Sequence, residues 1–202
     1  MENPDLSRWN ARFDTHDYVF GTEPNAFLAR HAAGLTPGRA LCVADGEGRN
    51  GVWLAGRGWH VVSLDFSRVA QLKAATLADS RGLSMQMERG DVHRWDYPPA
   101  AFDLVVDIFT QFSTPEQRVG KWAGMIRSLK PGGTLILQGY TPDQIANGTG
   151  GPDKPAHLYT QPTLRAAFSD LTIETLIEEQ VVLDEGPGHR GISAVIGLVA
   201  RR

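Results

Sequence analysis

The sequence predicts one α/β domain in which helices cover both faces of a mostly parallel β-sheet, a three-layer sandwich. Strand-like and helix-like segments alternate between residues 39 and 140, which is the pattern of parallel β-α units. Residues 102–109 are nearly all apolar, as a strand buried on both faces should be. The last two strand candidates are separated only by residues 184–191. Because this connection is too short for a helical crossover, we expect an antiparallel hairpin.

Local signals predict the individual elements. The expected strands are residues 40–44, 60–65, 85–89, 102–109 and 134–140, followed by 171–183 and 192–200. A helix is expected to begin at residues 22–24, which combine a cap candidate with a proline, and to end at Gly34. Ser67 should cap the next helix and Pro115 should begin another. A buried stripe of that later helix is expected at Val119, Trp122, Ile126 and Leu129.

Composition limits the possible functions. The 202 residues are 42% apolar and 21% charged, ordinary values for a soluble globular domain. A net charge of −3 gives no basic footprint for nucleic acid, and no apolar run reaches the ~20 residues that span a bilayer. The only cysteine, Cys42, is expected to be a buried structural thiol. The N-terminus lacks the pattern of a signal peptide, so we expect a cytoplasmic protein.

We expect residues 1–202 to form a single domain with four parts. Residues 1–38 would supply a cover segment and a helix, and residues 39–140 the cofactor-binding β-α units. Residues 141–161 are rich in Gly, Pro, Asp and Asn, and loops of this length within a compact domain are usually functional lids or disordered. Residues 171–200 would form the terminal hairpin.

A glycine turn is the most informative motif. Gly46-x-Gly48-x-x-Gly51 follows the first strand and opens a helix, and Asp65 ends the second strand. In such a unit the backbone approaches an adenosine-bearing cofactor while the acid binds its ribose. The spacing also matches the dinucleotide fingerprint, so a nicotinamide cofactor is the alternative. However, the chain has no room for a second mononucleotide half, and Asp45 would crowd a pyrophosphate. The same carboxylate suits the cationic amino group and sulfonium of S-adenosylmethionine.

Further segments occur in a fixed order along the chain. They are residues 43–48, Asp65 after Val-Ser-Leu, and residues 90–92, 102–107 and 129–133. On these segments, and over nearly all of its length from Trp9 to Arg202, the chain resembles the class I S-adenosylmethionine-dependent methyltransferases. The resemblance implies a Rossmann-like, seven-stranded sheet of order 3-2-1-4-5-7-6 with an antiparallel seventh strand. Residues 18–25, 46–50, 150–152 and 158–159 further resemble the small bacterial branch related to tellurite-resistance and thiopurine methyltransferases.

The resemblance assigns cofactor roles to residues at the carboxyl edge of the sheet. Gly46 and Gly48 would let the backbone approach the cofactor, and Asp65 would bind both ribose hydroxyls. Asp91 would accept a hydrogen bond from the adenine amino group, with Val92 beside it. The other cofactor-site residues that it implies are Trp9, Tyr18, Ala44, Asp45, Phe66, Asp107, Ile108 and Thr110.

Three alternatives stay open within this set. Either Asp45 or Glu47 could face the methionyl amine. Phe66 could pack in the core instead of against the adenine. Asp107 could be satisfied by backbone amides instead of flanking the cofactor.

Chain direction places a second group of residues on the substrate side. The hairpin turn lies at the ligand edge of the sheet, so His189 and Arg190 are expected near the mouth of the site. The lid brings Lys154, His157 and Tyr159 to the same edge. We expect His189, Arg190 and His157 to contact the acceptor, with a histidine as base only if the acceptor arrives protonated. The remaining histidines, which show no metal-ligand spacing, are His16, His31, His60 and His93, and no metal site is expected.

Together, the motif and the resemblance predict an S-adenosylmethionine-dependent enzyme. It would move a methyl group to a small molecule, such as a thiol or a chalcogen oxyanion, by in-line displacement. The alternatives are a non-catalytic module that only binds the cofactor and, less favoured, a nicotinamide-dependent oxidoreductase. No nucleic-acid or membrane partner is expected.

Overall fold

A computed structural model describes residues 4–202 of the chain. The strands are β1 (Arg39–Val43), β2 (His60–Asp65), β3 (Gln86–Arg89), β4 (Phe102–Ile108), β5 (Leu129–Tyr140), β6 (Thr172–Asp184) and β7 (Arg190–Arg201). The helices are α1 (Pro4–Phe13), α2 (Ala26–Ala32), α3 (Arg49–Ala55), α4 (Arg68–Ser80), α5 (Pro115–Ser128), α6 (Gln144–Asn147) and α7 (Gln161–Ala167). A short 3-10 turn spans Pro155–His157.

The seven strands form one sheet in the order β3-β2-β1-β4-β5-β7-β6. Strands β1 to β5 pair in parallel, and β7 is antiparallel to both β5 and β6. The predicted Rossmann-like strand order and antiparallel hairpin are therefore confirmed. Because β6 runs in the same direction as β1 to β5, the hairpin turn lies at the carboxyl edge of the sheet.

Alternation within β1 shows how the sheet separates two cores. Leu41 and Val43 pack in a cluster with residues of α5 and α7, whereas Ala40 and Cys42 pack with residues of α2 and α3. Successive side chains of a strand point to opposite faces, so this central strand is buried on both. Cys42 is buried as predicted, and burial raises the pKa of its thiol well above the usual value.

The beginning of the second helix was predicted too early in the chain. Helix α2 begins at Ala26, and its cap is Asn25, whose side chain accepts a hydrogen bond from the Leu28 backbone N–H at 2.9 Å. Asparagine at this position satisfies a helix N–H that would otherwise lack a partner. The Asn25 backbone N–H donates to Asn50 at 2.9 Å, so the cap also docks the helix on α3.

The predicted buried stripe of α5 is also partly wrong. Val119 is 67% exposed, because the buried face of the helix includes Lys121 and Trp122. A hydrophobic periodicity assigns lysine to the solvent side, so it misplaces a helix face that contains a buried lysine.

The lid segment is partly helical and is attached to the hairpin. The Gln144 side chain donates to Thr149 and to the Gly150 carbonyl, both at 3.0 Å, and accepts from the Ala194 backbone N–H at 2.8 Å. These bonds join α6, the lid and β7. In the part of the chain from residue 4 to residue 202, every helix is too short or too polar to cross a membrane.

Candidate functional site

A large cavity opens at the carboxyl edge of the sheet, where β1, β2, β4 and β5 end. This main cavity has a volume of about 610 Å³. An adjoining side cavity of about 460 Å³ shares Trp9, Ala44 and Phe66 with it, so the two form one elongated site. Helix α1, lid residues 150–154 and hairpin residues 188–189 also line the main cavity.

Two strands end in strained backbone at this cavity. Ala44 follows β1 with φ 49° and Phe109 follows β4 with φ 55°. The left-handed region costs a non-glycine residue on the order of 1–3 kcal/mol, and such strain concentrates at functional sites. The Phe109 ring centroid lies 4.6 Å from that of Tyr140 and 4.5 Å from that of His189. This packing holds the strained residue in place.

The two glycines of the turn have different functions. Gly46 lines the main cavity with φ +57°, and a Cβ there would lie 3.5 Å from the Phe13 ring. Gly48 does not line the cavity. A Cβ at Gly48 would lie 2.6 Å from the Cβ of Ala74, so this glycine is needed for the packing of α3 against α4. Gly48 therefore lies outside the cavity to which the sequence assigned it.

Asp65 lies at the centre of the cofactor side. It is 4% exposed and lines the main cavity. Its carboxylate accepts the Gly46 backbone N–H at 2.9 Å and the Ser67 backbone N–H at 2.8 Å. Burial raises the pKa of Asp65 to about 6. Ser67 itself caps α4 by accepting from Ala70, so the carboxylate orders the glycine turn and retains acceptor capacity toward the cavity.

Asp45 and Glu47 both line the main cavity but have different partners. Glu47 forms an ion pair with Lys73 at 2.5 Å. Asp45 accepts the Ser63 hydroxyl at 2.8 Å and the Gly51 backbone N–H at 3.3 Å, and among residues 4–202 no cation lies within ion-pair distance of it. Burial raises the pKa of Asp45. Of the two acids, Asp45 is the one whose charge is not already neutralised.

A buried arginine lies beside the glycine turn. Arg49 lines the main cavity, and its Nη2 donates to Glu185 at 2.8 Å. Its Nη1 is buried without a hydrogen-bond partner in the described part of the chain. Glu185 also accepts from the Asn25 side chain at 3.0 Å and from the Ala26 backbone N–H at 3.2 Å. The unpaired N–H groups fit an anionic ligand group.

The side cavity is lined by both apolar and acidic side chains. Phe66, Val92 and Asp91 line it, together with Trp9 and Ala44. Phe66 also lines the main cavity, so it faces the site and is not confined to the core. Asp5 and Glu116 also line this cavity, and apolar side chains beside carboxylates suit a heteroaromatic ring that carries an amino group.

Besides Gly48 and Tyr159, three predicted site residues lie outside both cavities. The Tyr18 hydroxyl donates to the Lys73 carbonyl at 3.0 Å, and its ring packs beside a small apolar cluster. Asp107 is fully buried and pairs with Lys121 at 3.2 Å. Arg190 is 70% exposed and pairs with Asp184 across the hairpin. Each side chain is directed by a partner that the local sequence pattern does not reveal.

The end of β4 contributes three lining residues, Ile108, Thr110 and Gln111. The Thr110 hydroxyl bonds to Asp107 and accepts from Lys121 at 2.5 Å. The Gln111 side chain donates to the carbonyls of Tyr140 at 2.9 Å and His157 at 3.2 Å. Gln111 therefore connects the ends of β4 and β5 to the lid.

The predicted substrate-side histidines reach the main cavity. His157 lies with Nδ1 3.1 Å from the Gln111 carbonyl oxygen. His189 is 8% exposed, and its ring lies 4.6 Å from that of Phe20. Burial, together with the charge of Arg49, lowers the pKa of His189 to about 3. Lys154 of the lid also lines this cavity, whereas Tyr159 is buried behind it against Trp122.

Two residues of the site, Arg12 and Ser113, were not predicted from the sequence. Arg12 lines the main cavity, and its guanidinium lies 5.2 Å from the ring centroid of Phe20, an aromatic residue that was expected to cover the pocket. At the side cavity, Ser113, His93 and Asp91 form a hydrogen-bonded row. Only the Asp91-x-His93 spacing could have been seen in the sequence. Within residues 4–202, no group of His, Cys, Asp and Glu is arranged to hold a metal ion.

Comparison with known proteins identifies the domain. Residues 40–133 match the family model described as a methyltransferase domain. A demethylmenaquinone methyltransferase of Deinococcus radiodurans is 34% identical over 116 residues, 56% of this chain and 48% of that protein. A probable thiol methyltransferase 2 of Arabidopsis thaliana is 37% identical over 120 residues, 56% and 51% of the two chains. The chain thus spans about half the length of these curated relatives.

Solved structures extend the likeness to the whole fold. A structure from work on the conversion of a disulfide bond into a thioacetal group during echinomycin biosynthesis has a TM-score of 0.80 at 22% identity, covering 98% of this chain and 93% of that one. TehB from Haemophilus influenzae has a TM-score of 0.72 at 16% identity, covering 98% and 66%. Residues 40–133 thus match a methyltransferase domain, and the predicted resemblance to the class I S-adenosylmethionine-dependent methyltransferases is confirmed.

Proposed function

We propose that this protein transfers a methyl group from S-adenosylmethionine to a small acceptor that arrives as an anion, a thiolate or a chalcogen oxyanion. The observation that carries the proposal is the division of the cavity into two sides. Acidic residues with the glycine turn occupy one side. Aromatic residues together with Arg12 and Lys154 occupy the other.

The cofactor side fits S-adenosylmethionine. Asp65 can accept the ribose hydroxyls. Asp45, which lacks a cationic partner among the described residues, can hold the methionyl amine, and the free Nη1 of Arg49 can hold the methionyl carboxylate. The side cavity between Phe66 and Asp91 can take the adenine. A dinucleotide fits less well, because its pyrophosphate would approach the Asp45 carboxylate.

When bound, S-adenosylmethionine supplies an electrophilic methyl group that a nucleophile takes by in-line displacement. The protein's residues position the acceptor and exclude water. Phe20, Phe109 and Tyr140 surround His189, with ring centroids 4.6, 4.5 and 5.9 Å from it. A polarisable anion loses less hydration energy at such a wall than a small, strongly hydrated one. Arg12 and Lys154 line the same cavity and favour an acceptor with negative charge.

Two groups near the acceptor side, His189 and Glu47, are poorly suited to remove a proton. A pKa of about 3 keeps the imidazole of His189 neutral at physiological pH, but it also makes His189 a weak base. Glu47 is paired with Lys73. His157 donates its Nδ1–H to the Gln111 carbonyl at 3.1 Å, which leaves Nε2 of the neutral ring as an acceptor, so His157 is the remaining candidate base for an acceptor that arrives protonated. An acceptor that is already deprotonated needs no base, which favours thiolates and oxyanions over amines and alcohols. The 37% identical thiol methyltransferase relative supports the same class of acceptor.

Two measurements test this proposal. In isothermal titration we expect binding of S-adenosylmethionine and S-adenosylhomocysteine and none of NAD. In a product assay we expect S-adenosylhomocysteine release with small thiols, tellurite or selenite, and little with amines. With thiol acceptors, the rate of S-adenosylhomocysteine release should increase as the pH rises through the pKa of the thiol. More acidic thiols should show this increase at lower pH. Cofactor binding without release for any acceptor would support a non-catalytic module, and tight binding of NAD alone would contradict the proposal.

A further inference from the structure

We propose that His93, held by Ser113, is a positioning residue that orients Asp91 toward the 6-amino group of the bound adenine. This inference rests on the proposed function, since it requires an adenosine-bearing cofactor in the side cavity. It assigns a role to a hydrogen-bonded row, Ser113–His93–Asp91, which the resemblance to methyltransferases does not account for.

The row joins two loops at the carboxyl edge of the sheet. The Nε2 of His93 lies 2.8 Å from the Ser113 hydroxyl, and its Nδ1 lies 3.0 Å from Oδ1 of Asp91. Asp91 follows β3, whereas Ser113 follows β4 directly before the capping residue Thr114 of α5. The His93 ring also meets the Phe112 ring edge-on at 5.9 Å. The imidazole is therefore fixed from both sides.

The two nitrogen atoms of His93 that contact Asp91 both lie at Oδ1, so Oδ2 is left to accept a hydrogen bond from a ligand. Oδ1 accepts the His93 backbone N–H at 3.0 Å, and the ring Nδ1 is at the same distance from it. With Nδ1 protonated, Nε2 is the acceptor for the Ser113 hydroxyl, so one tautomer satisfies the whole row. No residue between 4 and 202 donates to Oδ2 of Asp91. This oxygen remains available as an acceptor in the side cavity, which Asp91 lines.

The same three residue types form the nucleophilic triad of hydrolases, but the burial pattern here is different. Ser113 is 1% exposed and lines neither cavity, so its hydroxyl cannot attack a ligand. The side chains of His93 and Asp91 are 19% and 32% exposed, and both residues line the side cavity. The exposed end of the row is therefore the carboxylate, which suits recognition of a donor on the ligand.

A carboxylate held in one rotamer discriminates between purines. A 6-amino group would donate to the free Oδ2, whereas a purine with hydrogen at that position would leave it unpaired. Without His93, Asp91 could rotate toward solvent. The wild-type protein should therefore prefer adenine strongly, and a protein without the row should prefer it weakly.

The experiment compares two ligands by isothermal titration. They are S-adenosylhomocysteine and its analogue that lacks the purine 6-amino group. We expect wild-type protein to bind the first about tenfold more tightly and His93→Ala to reduce this preference to threefold or less. His93→Asn places an amide donor near the Nδ1 position and should restore most of it. Ser113→Ala should give an intermediate ratio. His16→Ala is the control, because that side chain is fully exposed.

The ratio of the two dissociation constants separates a positioning role from a structural one. If His93→Ala weakens both ligands equally and leaves the preference at tenfold, or if His93→Asn fails to restore a lost preference, the inference is overturned. Thermal unfolding of each variant identifies simple loss of fold. Wild-type protein that binds neither ligand would contradict the proposed function itself. Wild-type protein that binds both ligands equally would overturn the role of Asp91 and His93 but would leave the proposed function in place.

Discussion

At the scale of single residues, Asp65 connects folding and binding. Its carboxylate accepts the Gly46 and Ser67 backbone N–H groups and lines the main cavity. The same carboxylate therefore orders the glycine turn and faces the proposed ribose position. Its burial disfavours the ionised form, so desolvation raises its pKa from 3.8 to about 6.

Removal of this carboxylate should weaken cofactor binding. We expect Asp65→Ala to lose about 1.5–3 kcal/mol of binding free energy for S-adenosylhomocysteine, the scale of hydrogen bonds to a charged group, in isothermal titration. The control is Asp103→Ala, because Asp103 pairs with Lys130 away from both cavities. Wild-type affinity in Asp65→Ala would mean that the carboxylate serves only the fold.

The raised pKa of Asp65 predicts a pH dependence of binding. Protonation favours the folded state, since the folded pKa lies above 3.8, and the contribution of Asp65 to the free energy of unfolding falls as the pH rises from about 4 to 6. Only the ionised form accepts two hydroxyl donors. Cofactor affinity should therefore decrease as the pH falls below about 6, by at most about tenfold per pH unit.

Titrations at several pH values between 5 and 8 measure this effect. The Asp65→Asn variant should bind the cofactor more weakly, and its affinity should no longer change near pH 6. Asp45→Asn is the control, because Asp45 is also a buried acid with a raised pKa and its removal should leave that change in place. An inflection that survives in Asp65→Asn would assign the titration to another group.

At the scale of elements, the turn between β1 and α3 uses its two glycines for opposite purposes. Gly46 faces the ligand, whereas Gly48 faces Ala74 of α4. A motif of spaced glycines does not distinguish these purposes, because both positions need a left-handed φ, +57° and +83°. The distinction arises from which neighbour each α-carbon approaches.

Alanine at each glycine should separate binding from stability. Gly48→Ala puts a Cβ 2.6 Å from that of Ala74 and should lower the free energy of unfolding by about 2–4 kcal/mol, with cofactor affinity nearly kept. Gly46→Ala meets only the Phe13 ring at 3.5 Å and should cost about 1–2 kcal/mol, but its methyl group enters the cavity and should weaken binding more than tenfold. Chemical denaturation and titration of both variants provide the measurements. The reverse pattern would refute this assignment of the two glycines.

At the scale of the whole molecule, the site is closed by segments that are distant in the sequence. Glu185 of the hairpin turn meets Asn25 of the cover segment and Arg49 of the cofactor turn. Gly188 donates its backbone N–H to the Val19 carbonyl at 2.8 Å. The hairpin therefore holds the N-terminal segment over the cavity that the central strands form.

Two neighbouring carboxylates allow a matched test of this closure. Glu185→Ala leaves Arg49, whose side chain is 7% exposed, buried without its partner. The free energy of unfolding should fall by about 3–5 kcal/mol. Asp184→Ala also removes an arginine partner, but the Asp184–Arg190 pair is exposed, and the loss should stay below about 1 kcal/mol. Equal losses in denaturant unfolding would show that the Glu185 cluster does not hold the segments together.

Local patterns were sufficient to predict the strands and the terminal hairpin, whereas the order of the strands came from the resemblance to a known family. Alternating burial in β1 and the glycine turn are properties of a few consecutive residues, and the carboxyl edge follows from chain direction. Asp65, Asp91 and His189 line the two cavities. Arg190 does not line them and pairs with Asp184, because the orientation of a side chain in a turn depends on its partner.

Sequence alone therefore determined the class of fold, the edge that binds ligands and the turn beside the cofactor, because backbone geometry follows from periodicity and from residues that permit special φ values. The tertiary structure decided which side chains meet. Asn25 and Glu185 are 160 positions apart, and His93 and Ser113 are 20 apart. Their contacts depend on the packing of the complete sheet with its helices. The acceptor side, built from the cover, the lid and the hairpin, exists only after that packing, and so its chemistry could not be predicted from local patterns.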